Sequence, residues 1–149
     1  MRTKIKSIVC LAAALSFFVL NPAAKAGGSE RIQVTVLTAS NQGSDFNLDN
    51  DAYRDQLIKL FSYSSYNQQN QLVAELEKGE HKIVELIENY ELVLTLQQEQ
   101  KDRILIQAII RKDGVQYVNT VLSVLKEGVV FLGGPVTQKG ALILVLQRL

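Results

Sequence analysis

Residues Ala141 to Leu146 form an unbroken apolar run, ALILVL. In an extended strand such a run points apolar groups at both faces, so neither face can be left to water. The run follows a turn at Gly140 and is short for a helix, so it reads as a strand. A strand of this kind belongs at the centre of a sheet, with a neighbour on each edge and a layer over each face. The rest of the chain has to supply those neighbours and layers.

The segments before it are suited to that role. Val115 to Leu125 is rich in β-branched and aromatic residues and carries only uncharged polar ones. Lys126-Glu127-Gly128 supplies a turn, Val129 to Leu132 a short apolar strand, and Gly133-Gly134-Pro135 its stop, since proline donates nothing to a ladder. Further back, Ile32, Val34 and Val36 alternate with Gln33 and Thr35. Tyr90, Leu92, Leu94 and Leu96 share one face of another run, and Ile104, Ile106, Ala108 and Ile110 share one face of the next. Leu72 to Leu76 and His81 to Ile87 are shorter candidates, the second broken at Glu88-Asn89. Glu, Leu and Gln between Leu72 and Gln100 also suit helix, but Gly79 and the period-two runs favour strand. A charged residue precedes glycine at Lys78-Gly79, Asp113-Gly114 and Glu127-Gly128, and Asp-Gly is the strongest hairpin signal of these. Runs at close spacing with short turns predict antiparallel pairing.

One helix is expected, over Asp51 to Tyr63. Asp49 or Asn50 can cap it, and Tyr53, Leu57, Leu60 and Phe61 fall on one face. Leu57, Leu60 and Phe61 are expected to pack on Ile104, Ile106, Leu142 and Leu144. The fold class is therefore α+β: a mostly antiparallel, sandwich-like meander with one helix after the first strand.

The N-terminus carries a different signal. Arg2, Lys4 and Lys6 precede an apolar stretch from Ile8 to Leu20, and Ala24-Lys25-Ala26 is a small-x-small cleavage site. Residues 1–26 are expected to be a signal peptide and residues 27–149 a single β-rich domain starting at Gly27. The one cysteine, Cys10, lies in the expected signal, so the mature domain is held by packing without disulfides. Residues 1–26 contain four of the 16 cationic residues and none of the 15 acids, leaving a net charge of −3 for the remainder. Such a surface does not suit nucleic acid, and no later stretch suits a transmembrane helix. The expected location is periplasmic or secreted.

Chemistry-bearing motifs are few. The single histidine, His81, stands on a strand with no Gly-x-Ser-x-Gly elbow in the chain, and reads as an exposed strand residue. One histidine and no mature cysteine cannot build an ordinary closed zinc site. Asp45, Asn47, Asp49 and Asp51 offer oxygens at alternate positions, like the first half of a calcium loop. Asn50 stands where that loop needs glycine, and Gln56 where it needs a bidentate glutamate, so an Asx-rich loop with a helix cap is the simpler reading. No catalytic, cofactor-binding or metal residue is assigned. Tyr63 and Tyr66 are the expected interaction surface, as a rim of aromatic contacts beside the core residue Phe61.

VLKEGVVFLGGP (residues 124–135) followed by GALILVL (residues 140–146) resembles strand-Gly-strand-Gly-Gly segments in the C-terminal part of bacterial secretins of type II and III secretion. The long secretin core and its proline-rich signature are absent, so the resemblance does not imply a pore. The LFSYSSY segment and the GGP ending are also similar to small exported Gram-negative proteins of unassigned function. Together these imply an exported, non-enzymatic binding or accessory protein of the cell envelope, associated with a secretion or pilus system and partnered by an envelope protein. The alternative is a small hydrolase or a calcium-dependent binding domain.

Overall fold

The computed structural model describes residues 28–149, so the expected signal segment lies outside the described residues. The described chain forms two facing sheets. One has five strands in the order β2-β3-β1-β9-β8: β1 Glu30–Ser40, β2 Phe46–Asn47, β3 Ser65–Leu76, β8 Val129–Thr137 and β9 Gly140–Arg148. The other has four in the order β4-β5-β6-β7: β4 His81–Glu85, β5 Glu91–Glu99, β6 Arg103–Lys112 and β7 Val115–Leu125. All pairings are antiparallel except that of β2 with β3. The fold is mostly β, with one short helix, α1 Arg54–Leu60, after the first strand. The four-stranded sheet is a meander. The five-stranded sheet instead gathers strands from both ends of the described chain.

β9 lies between β1 and β8, and its residues from Ala141 to Leu146 are all buried. Leu142, Leu144 and Leu146 face the other sheet, among Ile32, Val34, Leu92, Leu94, Ile104 and Ile106. Ile143 and Val145 face the opposite way and pack with Leu37, Tyr53, Leu57 and Tyr66. The apolar run thus serves two cores at once, as its lack of polar side chains requires.

The helix corrects an expectation. It covers the outer face of the five-stranded sheet, so Leu57 meets Ile143 and Val145, while Ile104, Ile106, Leu142 and Leu144 belong to the core between the sheets. Leu60 does not pack; it is 60% exposed. The helix also stops sooner than Tyr63, because Phe61 is already extended (φ −128°, ψ 143°). Its approach is a 3-10 turn, Asp51–Tyr53, capped by Asn50 Oδ1 accepting from the Ala52 N–H at 3.0 Å.

The glycine turns differ from each other. Asp113 and Gly114 both have positive φ, 50° and 78°, as a two-residue hairpin between β6 and β7 requires. Lys78-Gly79 and Glu127-Gly128 are corners that carry the chain from one sheet to the other, and the strands they join do not pair. Close spacing alone does not separate a hairpin from a corner. Gly140 has φ 124°, and a Cβ there would lie 2.5 Å from the Ala39 carbonyl oxygen. Gly133 and Gly134 let β8 pass between layers: a Cβ on the first would meet Phe61, and on the second Ile110 and Leu142.

Candidate functional site

β3 runs seven residues further back than the strand expected from Leu72, and a bulge hides the connection. Val36 pairs with Asn70 but Leu37 pairs with Gln68, leaving Gln69 as an extra residue. A one-residue insertion exchanges the two faces of a strand. Beyond the bulge Leu72, Ala74 and Leu76 face the inter-sheet core, whereas before it Tyr66 turns to the helix side.

Tyr66 is completely buried, and its hydroxyl donates to the carbonyls of Leu57 (3.2 Å) and Phe61 (3.1 Å). The expected contact surface of Tyr63 and Tyr66 is thereby corrected for Tyr66, whose ring is enclosed and serves as the floor of the helix. Burial pushes its phenol pKa above the ordinary 10.0. Tyr63 is half-buried and meets Tyr66 edge-on, with ring centroids 6.4 Å apart. Phe46 lies against the same ring at 5.3 Å, and the Arg54 guanidinium sits 4.4 Å over Phe46.

The calcium-like loop falls on β2 and the 3-10 turn. Asn47 Nδ2 donates to Asn67 Oδ1 at 2.6 Å. Asp49 and Gln68 bond reciprocally: the Asp49 N–H donates to Gln68 Oε1 at 3.1 Å, and Gln68 Nε2 donates to Asp49 Oδ2 at 2.7 Å. These side chains lash the loop to the start of β3. Among the described residues no group of three His, Cys, Asp or Glu is arranged to hold a metal ion. His81 is exposed on β4, its Nδ1 2.6 Å from Thr95 Oγ1 on the neighbouring strand.

The outer edge of β3 is an open sheet edge, as are those of β4, β7 and β8, and it is the one that borders the amide run. β2 pairs only with Tyr66 and Asn67, and no described strand pairs with that edge further along. The direction of the free backbone groups follows from β1. The Leu149 N–H donates to the Arg31 carbonyl at 3.0 Å, so Arg31 directs its backbone toward β9 and away from β3. Glu75, opposite Arg31, then directs its own N–H and C=O outward, and by alternation so do Val73 and Gln71. The Gln71 N–H is met by Asn70 Oδ1 at 2.8 Å. The N–H groups of Val73 and Glu75 have no partner among the described residues. Unpaired groups of this kind are a template for another strand.

An open groove of about 730 Å³ lies along the same edge, lined by Phe46 to Asp49 and Gln68 to Gln71. Two smaller clefts continue the same side of the molecule. One, of about 340 Å³, includes Asn70, Glu85 and Ile87; the other, of about 240 Å³, includes Glu75, Glu77, Glu80 and His81. This edge is absent from the sequence expectations. The available signal was the amide run from Asn67 to Gln71, whose five side chains all carry both donor and acceptor groups. No protein-family model, curated protein or solved structure matches the chain. No helix among the described residues is long and apolar enough to cross a membrane.

Proposed function

We propose that this chain is an exported, non-enzymatic binding or accessory protein of the bacterial cell envelope, with a secretion or pilus system as its setting. Its working surface is the outer edge of β3, which receives an extended segment of an envelope protein by strand addition. The observation that carries this reading is the outward backbone of Val73 and Glu75 beside the amide-lined groove. Main-chain bonds to such an edge supply affinity, and the side chains flanking it supply selectivity. The signal-peptide pattern of residues 1–26 supports the cellular setting.

A site-specific photo-crosslinker tests the reading in cells. Placed at Val73, it is expected to yield an adduct with an envelope protein, in material whose intact mass begins at Gly27. Placed at Lys101, exposed in the turn between β5 and β6 of the other sheet, it is expected to yield none. Equal adducts from both positions, or none from Val73, contradict the edge. A mass retaining residues 1–26 contradicts export.

A further inference from the structure

We infer that the segment received by β3 is a cationic, extended polypeptide. This rests on the strand-addition reading above and adds the chemistry of the incoming chain. Past the groove, β3 presents a fixed order of exposed side chains on its helix-side face: the amide of Gln71, the apolar Val73, then the carboxylate of Glu75. Val73 is 43% exposed, a sizeable apolar surface on a strand with no neighbour on that side. Glu77 follows, and the cleft at this end adds Glu80. Across the seam, β4 ends in the exposed Glu85. With Asp49 at the groove, five carboxylates flank this side, against Lys78, Lys82, Arg31 opposite Glu75 on β1, and Lys139 beside Gln69; Glu75 and Glu77 are the carboxylates at the end of the edge strand itself.

Cross-strand neighbours interact directly, and like charges placed opposite each other are destabilising. A strand laid antiparallel on β3 passes Glu77, Glu75, Val73 and Gln71 in that order. Its favoured side chains at alternate positions are therefore two cations, a β-branched residue and an amide. The intervening positions face the seam between the sheets, beside Leu72 and Ala74. A second copy of β3 does not meet this pattern, because it brings further carboxylates to the same side.

Two synthetic peptides test the inference on the isolated full-length protein: KTKTVTQT and its charge-reversed counterpart ETETVTQT. The readout is the backbone N–H resonances of Val73 and Glu75. The cationic peptide is expected to shift and protect both, with the acidic peptide about tenfold weaker or more. Exchanging both Glu75 and Glu77 for Gln is expected to shrink that gap while leaving the fold's other resonances in place. Equal binding of both peptides at these two N–H groups overturns the charge assignment and leaves strand addition standing. No response of Val73 or Glu75 to either peptide overturns both. Protection of the two groups in the free protein that grows with its concentration assigns the edge to a second copy and overturns the cationic partner.

Discussion

The Tyr66 hydroxyl lies 3.2 Å from the Leu57 carbonyl oxygen, so a strand residue closes the end of the helix that covers it. The same hydroxyl reaches the Phe61 carbonyl at 3.1 Å. The Leu57 carbonyl also accepts from the Phe61 N–H at 2.9 Å, so the buried phenol adds a second bond there and reaches the Phe61 carbonyl beyond the helix end. Tyr66→Phe keeps the ring and removes the donor. The expected loss is about 1 kcal/mol, measured as a lower urea midpoint with unchanged slope. An unchanged midpoint would show that water replaces the hydroxyl without cost.

Leu57 and Leu60 are three positions apart and have opposite fates: Leu57 is fully buried, while Leu60 is 60% exposed. Leu57→Ala is expected to cost about 2–5 kcal/mol through the cavity left above Ile143 and Val145. Leu60→Ala is expected to fall within about 0.5 kcal/mol of the parent. Denaturant unfolding of the pair separates them, and equal losses would mean that the helix lies on another face.

Gly140 permits the last hairpin. A methyl group there meets the Ala39 carbonyl at 2.5 Å, on a backbone of φ 124° that other residues rarely adopt. Gly140→Ala is expected to cost about 1–3 kcal/mol from overlap, with backbone strain added. Gly79 also has positive φ, 81°, but opens onto free space. Gly79→Ala is expected to cost about 1 kcal/mol from the backbone alone. Thermal melts showing Gly79→Ala as the worse variant would contradict the close approach at Gly140.

Alkaline stability follows from Tyr66. Its pKa is raised because burial disfavours the phenolate, so the folded state holds the proton beyond pH 10 while the unfolded chain releases it near that value. The contribution is fully present below pH 10 and is lost as pH rises above it. Urea midpoints are expected to hold steady up to that point and then fall, and to fall less steeply in Tyr66→Phe. Identical alkaline slopes would remove Tyr66 from the transition.

The inward faces were legible because nothing interrupts their alternation. Leu92, Leu94 and Leu96 on β5, and Ile104, Ile106 and Ile110 on β6, are buried as their spacing implies. The central place of β9 was legible because six apolar residues leave it no alternative. β3 was hidden by the bulge at Gln69, which turns Tyr66 to one side and Leu72 to the other and so breaks the period. The face covered by the helix was hidden for a different reason. Both faces of β9 are apolar, so residue pattern could not decide between Leu142 with Leu144 and Ile143 with Val145. The open edge was invisible because it depends on which backbone groups lack a neighbour, a property of topology that no single residue carries.

Native-state hydrogen exchange along β3 tests the open edge most directly. The Leu72 and Ala74 N–H groups point to β1 and the Val73 and Glu75 groups point outward, so exchange is expected to alternate along the strand. Leu72 and Ala74 should exchange slowly, close to the global unfolding limit, and Val73 and Glu75 should exchange orders of magnitude faster. Uniformly slow exchange at all four positions in dilute protein would mean that the edge is already paired, and would contradict a strand-accepting β3.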